Sequence, residues 1–87
     1  MTEFPAIEQK LRALMSTLAG DLSADDMRWA EFFIEHNEKG LALLGLAESL
    51  MSRGKPQSSE VIGAIEELAD RMRVRDELPN LAAITER

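Results

Sequence analysis

Apolar residues return every three or four positions along nearly the whole of this chain, and that spacing constrains its fold more than any other feature. In "FPAIEQKLRALMSTLAG", Ile7, Leu11, Leu14, Met15 and Leu18 fall on one helix face, with Glu8, Gln9, Arg12 and Ser16 opposite. Pro5 suits a first turn and Gly20 an end, so the spacing predicts a helix from about Pro5 to Ala19. In "DLSADDMRW", Ser23 suits an N-cap, with Asp26 three residues on as the acid of a capping box. Asp25 and Asp26 would also lie at the positive end of the helix dipole, which accounts for both without a functional role. A second helix then runs from Ala24 to about His36. Met27, Ala30, Phe33 and Ile34 gather on one side, and Arg28, Glu31 and Glu35 on the other. Trp29, Phe32 and His36 form a strip at the margin. A helix this short cannot easily bury both Phe32 and Phe33 against the same neighbour.

"NEKGLALLGLAESLMSRG" predicts a third helix closed by Gly54, with Asn37 either ending the second helix or capping the third. Leu43, Leu46, Ala47, Leu50 and Met51 form its main face. Leu41, Ala42 and Leu44 widen that face nearly all round, which marks the helix as the central, most buried one. Gly45 in its interior is expected to serve close helix packing. Ser58 or Ser59 can cap a fourth helix, whose apolar face is Val61, Ile62, Ile65, Leu68, Ala69 and Met72. Arg71, Arg73 and Arg75 gather at its C-terminus, where cations complement the dipole. "LPNLAAITER" allows either one or two last turns beginning at Pro79 or a frayed end. The expected fold is all-α: residues 1–87 as a single domain, a compact bundle of four helices with room for a short fifth.

The composition agrees. Ala, Leu, Glu, Met and Arg, all good helix formers, dominate, while Tyr is absent and aromatics are only 5%. A chain of 87 residues buries only about 60–65% of its unfolded surface, so its stability margin is small. There is no Cys, hence no disulfide, no thiolate nucleophile and no Cys-type zinc site, in keeping with a reducing cytoplasm. "MTEFPAIEQK" lacks the basic region and apolar run of a secretory signal, and no apolar stretch approaches the roughly 20 residues that span a bilayer.

Charge is where the sequence becomes functionally informative. The net charge is −6, and within residues 21–38 six acids (Asp21, Asp25, Asp26, Glu31, Glu35, Glu38) accompany a single Arg. Such a surface repels nucleic acid and anionic membrane and attracts basic partners. The one cationic run, "RMRVR", is better explained as a dipole-complementing helix end than as a nucleic-acid site. Catalytic groups are scarce, with one His, no Cys and no Gly-rich phosphate loop. Glu31 with Glu35, and Glu66 with Glu67 and Asp70, read as solvated helix faces. Glu35, His36 and Glu38 diverge around a helix and so make a poor metal site. The chain is therefore expected to be neither an enzyme nor cofactor-dependent. The Trp29–Phe32–His36 strip has two readings. Trp29 completes the core with His36 at its rim, or the strip is an aromatic anchor bordered by Glu31, Glu35 and Glu38, which is the usual anatomy of an interface hot spot.

The segment "FFIEHNEKGLALLGLAESLMSRGKPQSSEVIGAIEELADRM" resembles the small helical immunity proteins of bacterial polymorphic toxin systems, the MafI type in particular. The matching features are an apolar helix end, "HNEKGLAL", a Pro/Ser loop and an amphipathic last helix, covering residues 32–72. The resemblance implies a cytoplasmic protein that binds a cognate toxin domain and neutralises it. Toxins of this kind are often nucleases with basic grooves. It also implies a structural role for Glu38, near the start of the third helix, and for Gly40, which allows close approach. The expected contacts with such a toxin are Trp29, Glu31, Phe32, Glu35, His36 and Glu38. Spare apolar surface on the third helix leaves a homodimer, or an oligomeric adaptor without a toxin, as the alternative.

Overall fold

The computed structural model describes residues 4–86, with the side chains of Phe4 and Pro5 outside that description. It is all-α. Helices α1 (Phe4–Leu18), α2 (Ala24–Glu35), α3 (Lys39–Arg53) and α4 (Ser59–Arg71) are followed by two 3-10 turns, Arg75–Glu77 and Leu81–Ile84. Among the described residues the only β-type pairing is an isolated bridge between Gln57 and Thr85.

The helix boundaries follow from local chemistry. Ser23 and Asp26 form the capping box at the start of α2. The Ser23 hydroxyl accepts from the Asp26 N–H at 3.0 Å, and the Asp26 carboxylate accepts from the Ser23 N–H at 3.1 Å. Ser58, not Ser59, caps α4, accepting from the Val61 N–H. Asn37 ends α2 rather than capping α3. It takes a left-handed conformation (φ 61°), its N–H reaches the Ile34 carbonyl, and the Glu38 N–H reaches the Phe33 carbonyl at 2.7 Å. That is the Schellman arrangement, and Arg73 (φ 62°) repeats it after α4. Gly54 closes α3 in the same backbone region.

Most of the expected core is buried, but Met27, Phe33, Met51, Val61 and Met72 are only partly buried against it, and Leu22 joins it from the α1–α2 loop. Ile7, Leu11, Leu14, Met15 and Leu18 of α1 are buried, with Ala30 and Ile34 of α2, Leu43, Leu46, Ala47 and Leu50 of α3, and Ile62, Ile65, Leu68 and Ala69 of α4. α2 and α3 pack most extensively, as an antiparallel hairpin, and α1 lies against α4. α3 also touches α4 and the last 3-10 turn, so it is central. It is not buried all round, however: Leu41 is 46% exposed and Gly45 faces outward. Among the described residues, no further element covers that side. A Cβ at Gly45 would meet nothing, so close packing does not explain this glycine. At Gly40 the expectation of close approach fits, since a Cβ there would sit 3.3 Å from Val74.

The C-terminal residues form 3-10 turns rather than a fifth α-helix. Leu81 and Ile84 nevertheless complete the core, and the tail is tied to the α3–α4 loop. The Gln57 N–H donates to the Ile84 carbonyl, and the Glu86 N–H to the Gln57 carbonyl, both at 2.7 Å. The buried Gln57 side chain donates to Asp21 at 2.9 Å. The arginine cluster at the end of α4 also differs from expectation. Only Arg71 lies in the last turn; it pairs with Glu67, while Arg75 folds back onto Asp70 at 2.7 Å and lies 3.6 Å from Glu66. A chain reversal at Arg73 therefore replaces a continuous cationic face with ion pairs.

Candidate functional site

Spacing along α2 places Trp29, Phe32, Phe33 and His36 at i, i+3, i+4 and i+7, so the four rings follow one another along one edge of the helix. The helix cannot turn all of them inward. Phe33 packs partly against the core, while Trp29 remains 61% and Phe32 45% exposed. Trp29 meets Phe32 edge to face with centroids 5.7 Å apart, and Phe32 lies 4.1 Å from the His36 ring. The rings brace one another, which limits the rotamer entropy that a partner would have to remove. The His36 Nδ1 is 2.8 Å from the Phe32 carbonyl. A carbonyl can only accept, so the proton sits on Nδ1 and the outward Nε2 is left as an acceptor in the neutral ring. Of the two readings of this strip, the structure thus rules out Trp29 as a core residue.

The carboxylates around the rings are less free than the sequence suggests. Arg12 reaches across from α1 and holds both Glu31 oxygens at 2.8 Å, and it also contacts Glu8 at 3.1 Å. Those two carboxylates, Glu31 first, raise the Arg12 pKa. Arg28 pairs with Asp25. Asp21 accepts from Gln57. Asp26 receives the Ser23 N–H, the Ser49 hydroxyl at 3.1 Å and Arg53 at 2.9 Å. The Ser23 N–H is the main cause of its lowered pKa; Arg53, the Ser23 hydroxyl and Ser49 reinforce it, and burial opposes it. Glu35 and Glu38 are left as the segment's carboxylates with no hydrogen bond or ion pair among the described residues. Both lie at the C-terminal end of α2, beside His36. A dense run of acids in sequence has become a focused one in space.

The six expected contact residues therefore divide. Trp29, Phe32, Glu35, His36 and Glu38 are exposed at one end and edge of α2, while Glu31 is committed to Arg12. Two hollows flank the indole. One is bounded by Asp25, Arg28, Glu31, Phe32 and Glu35; the other runs between α2 and α3, past Ala30, Phe33, Ala42, Gly45 and Leu46. Helical spacing gives no sign of the second, since Gly45, which lines it, reads from the sequence as a site of close helix packing.

Among the described residues there is no cluster of His, Asp or Glu that could hold a metal ion, and none of their buried side-chain polar atoms lacks a partner. No helix among them is long and apolar enough to cross a membrane. Fold and site together define a helical domain that displays an aromatic ridge beside two unpaired carboxylates. No family model, curated protein or solved structure matches the chain.

Proposed function

We propose that this chain is a non-catalytic cytoplasmic immunity protein, which neutralises a basic toxin domain by covering its active-site cleft with the exposed edge of α2. The observation that carries the reading is the exposure of Trp29 and Phe32 as a braced aromatic pair next to Glu35 and Glu38. Large exposed rings cost solubility and add little to a core. At interfaces, aromatic anchors with a charged rim supply most of the binding energy. The unpaired carboxylates would speed encounter with a basic surface, an effect that added salt should suppress. The MafI-like pattern of residues 32–72 supplies the toxin as the partner class.

The test is capture of partners from the native cells by the tagged chain, with wild type and Phe32→Ala compared at low and moderate salt. We expect a basic protein bound stoichiometrically, whose toxicity on expression is relieved by co-expressing this chain. Phe32→Ala should weaken that binding by about 2 kcal/mol, roughly 30-fold, as a hot-spot truncation does. Because Phe32 is nearly half exposed, its loss should shift stability by less than about 1 kcal/mol. Recovery of this chain alone at multimeric mass would replace the proposal with self-association through the same rings.

A further inference from the structure

Trp29 stands between two hollows of different chemistry, and this division bears on what the partner must present. On one side, Phe32 and the indole form aromatic walls, and among the described residues the Glu35 carboxylate is the rim charge without a pairing residue. An aromatic wall with a free carboxylate suits a guanidinium or ammonium group. Asp25 and Glu31 are already held by Arg28 and Arg12, which leaves Glu35 as the charge a newcomer can use. On the other side, the α2–α3 groove is lined by Ala30, Phe33, Ala42 and Leu46, with Gly45 facing open space. Glycine is among the least favourable residues in a helix interior. Gly63 of α4 is equally free of contact, so a glycine alone argues nothing. What singles out Gly45 is its place in a groove that shares Trp29 as a wall. The groove is also held open at one end: Asp26 links the first turn of α2 to Ser49 and Arg53 at the end of α3.

We infer that Trp29 divides a two-part docking site for a basic protein segment, with an Arg or Lys side chain of that segment over Phe32 and Glu35 and an adjacent aliphatic side chain in the Gly45 groove. This inference rests on the proposed reading of α2 as a surface for a basic partner, and it goes further by adding Gly45 and naming the pair of side chains required. Charge complementarity selects the occupant. A second copy of this acidic chain would bring like charge to Glu35 and Glu38.

The probes are two synthetic helical peptides of equal positive charge. One carries Leu and Arg one turn apart on the same face; its twin has Ser in place of Leu. Trp29 is the only tryptophan, so its fluorescence reports binding directly. At low salt the wild-type chain should bind the Leu peptide at least about tenfold more tightly than the Ser peptide, as burial of one aliphatic side chain predicts. Gly45→Met, which fills the groove from within, should abolish that preference, so that the two peptides bind alike. Gly45→Ala serves as the control for fold. Glu35→Gln should weaken both peptides. Equal binding of the two peptides to wild type, or a Leu preference that survives Gly45→Met, overturns this inference while leaving the basic-partner reading intact. Failure of both peptides to bind overturns the inference and the basic-partner reading together.

Discussion

Asp26 offers the sharpest test of how the α2–α3 hairpin is held. Its carboxylate accepts from the Ser23 N–H, the Ser49 hydroxyl, and Nε and Nη2 of Arg53. Asp26→Asn keeps the shape and one acceptor oxygen but removes the charge. The Arg53 pair is partly exposed and contributes about 0.5 kcal/mol. The weakened capping box and the Ser49 hydrogen bond add about 0.5 and 1 kcal/mol. The expected loss is about 2 kcal/mol at neutral pH, or roughly 8–16 °C in Tm for a domain of this size. The sign of the pH dependence follows from the pKa. Folding lowers it, so the stabilisation is fully present above the unfolded value of about 3.9 and is lost as pH falls through the folded value. Urea unfolding of wild type and Asp26→Asn should show the full gap at pH 7 and a shrinking gap below about pH 4. Asp25→Asn, which removes an exposed pair and a first-turn charge at the helix dipole, should cost less than about 1 kcal/mol. Equal midpoints at pH 7, or a gap that persists unchanged into acid, would refute the assignment of Asp26 as the charged clasp.

Other outcomes can be stated briefly. Arg73→Gly should raise the urea midpoint by the equivalent of about 0.5–1 kcal/mol, because a bulky L-residue is held there at φ 62°. Asn37→Gly should gain less, since Asn tolerates that region better. Gln57→Ala should cost about 1–2 kcal/mol by emptying a buried position and removing the Asp21 bond, and amide exchange at Glu86 should accelerate as the tail loosens.

Most of the fold was legible in the sequence because it depends on local rules. The 3.6-residue period located four helices, and the face it selected on α1 is the buried face. Ser23 with Asp26, and Gly54, marked boundaries through hydrogen bonds that involve only near neighbours. Of the two C-terminal turns, only Leu81–Ile84 falls in the stretch from Pro79 where a turn or a frayed end is expected, and its type was not legible, because Leu81 and Ile84 are held by core contacts and by the distant Gln57 rather than by helical spacing.

The site was legible only in part. The sequence by itself determined that Trp29, Phe32 and His36 share a helix edge, that carboxylates cluster near them, and that one of Phe32 and Phe33 would be turned out. Spacing already put Phe33 on the apolar side and Phe32 at its margin; only the tertiary structure decided that Trp29 stands exposed rather than in the core, and which acids remain unpaired. The period of α2 cannot reveal that Arg12 of α1 and Arg53 of α3 reach across to Glu31 and Asp26, since those contacts span 19 and 27 residues. Nor can it reveal that Leu41 and Gly45 of α3 are left exposed. Periodicity fixes which residues share a face; which faces meet, and which charges cancel, depends on how separate helices pack.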